Sequence, residues 1–204
     1  MNICISREFG SGGHEIGKIL AEQLGYSFYD RRLLEGAAEK SRIPIEHLER
    51  ADEQKANPWI HRIWYEAEDE NLRGLPANDI LFQIQKDYIL NRAREGNAVF
   101  VGRCGDFILK EADIPCVCIF ITAPYASRVM RKKELLHLSV KETETLIRKT
   151  DKRRKAYYNY YTDGGWGKPD NYDFCINSSR GIHETVRVLE KLLEELSREG
   201  EKNE

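Results

Sequence analysis

The residues with the most evident chemical potential come early: Arg7-Glu8-Phe9-Gly10-Ser11-Gly12-Gly13-His14-Glu15. They follow a short apolar segment, Asn2–Ser6, suited to a buried strand. They precede a run in which Ile16, Ile19, Leu20 and Leu24 share one helical face, which Gly25 ends. A glycine-rich turn between a strand and a helix aims backbone N–H groups and the positive helix end at one point, and this suits an anion, above all a phosphate. Gly10, Gly12 and Gly13 let the backbone approach such a group closely. A plain tight turn would use the same glycines, but the position directly after the opening strand favours phosphate. Gly10, Ser11, Gly12, Gly13 and His14 are therefore the candidate phosphate-binding residues.

The common phosphate loop reads G-x-x-x-x-G-K-[ST], its lysine reaching the terminal phosphates and its hydroxyl the Mg²⁺. Gly12-Gly13-His14-Glu15-Ile16-Gly17-Lys18 spells most of it. That register puts Lys18 more than a turn inside the helix, with Ile19 in place of the hydroxyl, so it is a decoy. The lysine belongs at the helix entry, where this chain has Gly13, and Glu15 then stands where the hydroxyl is expected. Phosphoryl transfer depends on cations that neutralise the migrating group. Arg7, which opens the loop, is the nearest candidate to supply one. Glu15 offers hard oxygen to Mg²⁺, although it would equally repel a triphosphate.

A second concentration of charge runs from Ala126 to Ala156, with eleven Lys/Arg against four Asp/Glu. Most of it reads as a solvated helix surface with pairs such as Glu144–Arg148. Asp151-Lys152-Arg153-Arg154-Lys155 holds too many bases for local pairing, and guanidinium groups suit bidentate phosphate contacts. Tyr157-Tyr158-Asn159-Tyr160-Tyr161 follows, then a glycine-rich stretch, Gly164-Gly165-Trp166-Gly167. Bases beside aromatics also describe a nucleic-acid surface. The net charge of −2 and the hinge-like glycines argue against that partner. The aromatics either pack a lid onto the core or form a contact between two copies, a homodimer.

The elements that must position these groups alternate. Short strands are expected at Asn2–Ser6, Tyr26–Tyr29, Ala98–Gly102, Cys116–Ile121 and Tyr172–Ile176, with helices between them. This is an α/β pattern: a five-stranded parallel sheet with helices on both faces. Residues 31–95 read as a mainly helical insertion, broken by Pro44, Pro58 and Pro76. The last helix buries Ile182, Val186, Leu189, Leu193 and Leu196 on one face. A single domain over 1–197 is expected, with a frayed polar tail over 198–204. No apolar run approaches the roughly 20 residues of a membrane helix, and the start lacks a signal-peptide pattern. The five cysteines are odd in number and mostly set in apolar segments. They read as reduced core residues of a cytoplasmic protein.

The segments Ile5-Ser6-Arg7-Glu8-Phe9-Gly10-Ser11-Gly12-Gly13 and Tyr29-Asp30-Arg31-Arg32-Leu33 resemble the cytidylate kinase-like family. So do Val101-Gly102-Arg103, Ala126-Ser127-Arg128-Val129-Met130-Arg131 and Arg148 through Arg154. The resemblance covers most of the chain and weakens between Pro44 and Pro76. It implies a three-layer fold like that of P-loop NTPases, with a lid, here 148–168, that closes over the donor phosphates. It also implies transfer of the γ-phosphoryl of ATP, with Mg²⁺, to a nucleotide-like small acceptor. Carried over by position, Arg103 contacts the acceptor phosphate and Asp30 ends the strand where acceptor contacts begin. Asp151 and Arg154 match a lid D-x-x-R, with Arg148 close to another lid arginine. Cys104 stands where cytidylate kinases have an aspartate, which puts cytosine as the acceptor base in doubt. With Gly13 in the lysine's place, the expected catalytic set is Arg7, Glu15, Arg148, Asp151 and Arg154. The alternative is a nucleotide-binding regulatory protein of weak or no catalysis.

Overall fold

The structure is a computed structural model that describes residues 1–30, 77–162 and 164–202. The expected helices between 31 and 76 lie outside the described residues. In chain order the elements are β1 (Asn2–Arg7), α1 (Gly13–Leu24), β2 (Ser27–Tyr29), α2 (Ala77–Glu95), β3 (Ala98–Val101), α3 (Gly105–Glu111), β4 (Cys116–Thr122), α4 (Tyr125–Leu136), α5 (Val140–Tyr161), β5 (Phe174–Asn177) and α6 (Ile182–Lys202). The strands form one parallel sheet in the order β2-β3-β1-β4-β5. This is the expected five-stranded α/β architecture.

Alternation along each strand divides the core into two layers. Ile3, Ile5, Val99, Val101, Ile119 and Ile121 face α1 and α6. Cys4, Phe100, Cys118 and Phe120 face the opposite way, toward Ile89 of α2, Ile108 of α3 and Tyr158 of α5. Burying apolar side chains on both faces drives the sheet into the middle, at roughly 25 cal/mol per Å² of apolar surface removed from water. With β1 leading into α1 on one face and its neighbour β3 into α3 on the other, the crevice at the carboxyl ends of these strands is the place where such sheets bind ligands.

Element boundaries differ modestly from the sequence patterning. α5 continues to Tyr161, and α6 continues to Lys202, past the Ser197 boundary. α3 leaves no periodic trace because it has only seven residues. α5 opens with a full capping box, Ser139 Oγ accepting from Glu142 N–H and the Glu142 carboxylate accepting from Ser139 N–H. Among the described residues no helix is long and apolar enough to cross a membrane.

Candidate anion-binding site

The loop after β1 turns on glycines in positive-φ conformations, Gly10 at 89° and Gly12 at 84°. Gly12 is the N-cap of α1, and a Cβ there would stand 2.2 Å from Ile182 Cδ1 of α6. Only a glycine meets both demands. Ser11 is buried; its Oγ donates to the Glu8 carbonyl at 2.9 Å, and its own carbonyl accepts from Ser178 Oγ at 2.6 Å. The loop is thus stitched to its surroundings while the first turn of α1, which has no earlier carbonyls to bond, presents its N–H groups.

Arg128 of α4 holds the loop from the other side. It is 7% exposed and engages Glu8 at 3.2 Å, Asp151 at 2.6 Å and the Phe9 carbonyl at 3.2 Å. Asp151 also accepts from the Phe9 N–H at 2.7 Å. Glu8 accepts from Thr122 Oγ1 and Ala123 N–H at the end of β4. Asp151 therefore clamps α5 onto the glycine loop. Phe9 lies between two cations, with Lys132 Nζ 4.7 Å and Arg154 Cζ 5.6 Å from its ring centre.

Beside the loop, at the carboxyl ends of β1 and β3, lies a cleft of about 190 Å³. Arg7, Arg103, Arg153 and Arg154 line it together with Tyr157, Tyr158 and Trp166. Arg154 donates to the Arg7 carbonyl at 3.1 Å. Arg103 lies over the Tyr157 ring at 5.9 Å. Burial pushes the Arg7 guanidinium well below its ordinary value, and the charges of Arg154 and Arg103 add to this while Asp30 opposes it. Arg154 is lowered to about 10, first by burial and then by its cationic neighbours, against the pull of Asp151. Three guanidinium groups crowd one another here, and among the described residues no carboxylate lines the cleft. A cleft so charged is complementary to an anion.

Of the residues singled out in the sequence, Arg7, Arg103 and Arg154 meet at this cleft. Asp30 pairs with His14 at 2.6 Å, and its charge also favours that of Arg7. Glu15, in the first turn of α1, pairs with Arg131 of α4. Arg148 lies away from the cleft, exposed and 3.5 Å from Glu144. Glu8 and Arg128 lie in motifs quoted from the sequence but had no role assigned there, Asp106 was not singled out, and the aromatics, expected to pack onto the core or to join two copies, pack onto the core and line the cleft. One signal was present for the aromatics: Asp151, Arg154, Tyr158 and Tyr161 are spaced 3, 4 and 3, one face of a helix. Each of the four is hydrogen-bonded to a different partner: Phe9, Arg7, Asp106 and Asp79.

Comparison with known proteins adds an independent line. Residues 2–180 match the sequence model of the cytidylate kinase-like family. A cytidylate kinase of Archaeoglobus fulgidus is 28% identical over 195 residues, 95% of this chain and 93% of that protein. An uncharacterized protein from Eubacterium ventriosum has a solved structure with a TM-score of 0.70 and 26% identity, over 95% of this chain and 98% of that one. Shikimate kinase from Bacteroides thetaiotaomicron shares the fold, with a TM-score of 0.55 at 15% identity, again over 95% and 98%.

Proposed function

The chain belongs to the cytidylate kinase-like family, and from that premise we propose that it transfers the γ-phosphoryl of ATP to a small, already anionic, nucleotide-like acceptor. The observation that carries this reading is the meeting of Arg7, Arg103 and Arg154 beside a glycine loop at the carboxyl ends of β1 and β3. A hydroxyl acceptor needs a base within hydrogen-bond reach. Among the described residues no carboxylate lines the cleft, whereas a phosphate oxygen is a nucleophile without a base. Arg103 holds the acceptor phosphate and Arg154 reaches the migrating group. The segment 148–168 is the lid.

Arg7 takes the part of the missing lysine. Its side chain occupies the space above Gly13, where a Cβ would stand 2.6 Å from the Arg7 Cβ. It then reaches across to Gly102, where a Cβ would meet Arg7 Nη1 at 2.1 Å. This path runs between the loop and the end of β3, between donor and acceptor.

Among the described residues no group of three or more His, Cys, Asp or Glu side chains is arranged to hold a metal. Mg²⁺ in phosphoryl transfer commonly takes one or two carboxylates, with phosphate and water completing its shell. Glu15 fits as a single carboxylate ligand. It is on the first turn of α1 and half-exposed, and it would exchange Arg131 for the ion. The metal would neutralise charge on the donor phosphates; this chain's own part is to orient them with loop amides and guanidinium groups.

The second reading, a nucleotide-binding regulator with little catalysis, is favoured by Gly13 and by the engagement of Glu15 with Arg131. Calorimetric titration with ATP·Mg²⁺, followed by transfer assays against nucleoside monophosphates, separates the two. Binding with turnover supports the kinase. Binding without turnover across the panel supports the regulator. Absence of binding removes both.

A further inference from the structure

The anion cleft poses a mechanical problem. Arg103 and Arg154 repel one another, and they arrive on separate elements, the turn after β3 and helix α5. A contact that joins the two arms would fix the spacing of the arginines they carry.

The arm carrying Arg103 is a run of three left-handed residues, Gly102 at φ 82°, Arg103 at 57° and Cys104 at 57°. Non-glycine residues rarely adopt this conformation, and two in succession need support from their surroundings. Asp106 follows three residues after Arg103, in the first turn of α3, and is 3% exposed. On the other arm Tyr158 follows Arg154 by one helical turn and is 6% exposed. Tyr158 Oη donates to Asp106 Oδ2 at 3.0 Å. This bond therefore joins the two arms at points i+3 and i+4 from the arginines they carry. It also sets the position of the neighbouring Tyr157, whose ring backs the Arg103 guanidinium at 5.9 Å.

Asp106 is buried with only part of its hydrogen-bonding capacity met. Its Oδ1 is buried with no hydrogen-bond partner among the described residues. Removal from water raises its pKa, against the hydrogen bond from Tyr158, backbone N–H groups and Lys110. A half-satisfied buried carboxyl lowers stability, so its place at this junction is unlike ordinary core packing.

We infer that the Tyr158–Asp106 hydrogen bond is a strut, and that both residues are positioning residues which hold Arg103, Tyr157 and Arg154 in register around a bound phosphate. The inference rests on the reading of the cleft as a phosphate site. Asp106 is not among the residues lining the cleft, whereas Tyr158 is; the strut is assigned to act through the arginines, and a direct contact of Tyr158 with phosphate would show as an equal Tyr158→Phe loss in the Arg103→Ala background. The strut acts by keeping two cationic arms from spreading, which preorganises the cleft before the anion arrives.

The test uses the full chain with inorganic phosphate as the probe, titrated by calorimetry, with a denaturation curve for every variant. Tyr158→Phe deletes the bond and keeps the ring. It is expected to weaken phosphate about 5- to 10-fold, the scale of one lost hydrogen bond. Asp106→Asn keeps a carbonyl that accepts from Tyr158, and is expected to stay within about twofold of the parent on the same scale. In an Arg103→Ala background the Tyr158→Phe loss is expected to shrink to less than about twofold, since the strut acts through Arg103. A purely structural role would move the denaturation midpoint and leave this coupling at zero.

The strut is overturned by unchanged phosphate affinity in Tyr158→Phe, or by an equal loss in the Arg103→Ala background. Equal losses in Asp106→Asn and Tyr158→Phe also overturn it. If Tyr158→Phe does not fold, Asp106→Leu replaces it in the same cycle and carries the same expectation. Absence of phosphate binding in the parent chain is a different failure: it removes the phosphate site itself, and the strut with it.

Discussion

Gly13 lies directly beneath Arg7, so that a Cβ on Gly13 would stand 2.6 Å from the Arg7 Cβ and 3.1 Å from its Cγ. The backbone has no room for an arginine at 7 and a lysine at 13 together. Restoring the common loop by Gly13→Lys alone is therefore expected to destabilise the chain by about 1–3 kcal/mol through overpacking. The double variant Arg7→Gly/Gly13→Lys relieves the clash and should recover most of that loss. Chemical denaturation of the four species checks this. A Gly13→Lys variant as stable as the parent would show that the side chains do not compete.

Arg7 is expected to separate stability from binding. Its charge is disfavoured first by burial and then by Arg154 and Arg103. Arg7→Met removes the repulsion and keeps much of the aliphatic volume, so the unliganded variant should melt at or above the parent temperature. Phosphate should stabilise the parent by neutralising the cluster, raising its midpoint by an amount set by concentration over Kd. That rise should be lost in the variant. If the reading of the site is right, turnover falls by about 10²–10³, the scale of one lost electrostatic contact in a transition state.

Arg128 sets the cost of the clamp. It is the buried cation shared by Glu8 and Asp151. Arg128→Met leaves two partly buried carboxylates facing each other, and breaking a buried pair from one side costs about 3–5 kcal/mol. Replacing the exposed Arg148, whose pair with Glu144 is 3.5 Å long, is expected to cost under about 0.5 kcal/mol. Urea titrations of the two single variants give the comparison directly.

These contrasts show what the sequence carried and what it did not. The strands were legible because a central parallel sheet needs apolar residues on both faces, as in Cys116–Thr122. The glycine loop was legible because its backbone demands are local. Arg7, Arg103 and Arg154 were individually visible, but their meeting depends on the 3-1-4 strand order that brings the ends of β1 and β3 side by side, and crossovers leave no local trace. The lid motif points to Asp151 but carries no trace of its contacts, which are with Phe9 and Arg128. Asp106 and Tyr158 are 52 residues apart, and neither residue type announces a partner.

Asp106 also gives a pH signature. Burial raises its carboxyl pKa, the Tyr158 bond and Lys110 acting against this. Cys104 and Tyr172 lie in the same electrostatic neighbourhood. With the folded pKa above the unfolded value near 3.9, the folded state binds the extra proton. The contribution is complete below the unfolded pKa and is lost as pH rises through the folded pKa. Stability should therefore decline across that acidic window, and Asp106→Asn should remove that part of the decline. Urea midpoints measured at several pH values from 4 to 7 for parent and variant check it (the range following from). Identical slopes in the two proteins would mean that Asp106 ionises as freely folded as unfolded.

Trp166 offers an optical reading of the same cleft. It lines the cavity beside Arg154 and Tyr158 and meets Phe120 edge-on, with ring centres 5.5 Å apart. It sits in a glycine-rich turn held by Asn159, whose Oδ1 accepts from the Trp166 N–H at 3.1 Å, and by Asn171, which donates to the Gly164 and Gly165 carbonyls. An anion held by the guanidinium groups would change the charge next to the indole. Phosphate or ATP should therefore shift Trp166 emission with a dependence that matches calorimetric binding. Trp166→Phe should abolish the shift and keep the heat of binding, because the indole reports on the cleft while the arginines hold the ligand. Trp59 and Trp64 also emit, so a shift that survives in Trp166→Phe would place the ligand's influence elsewhere in the chain.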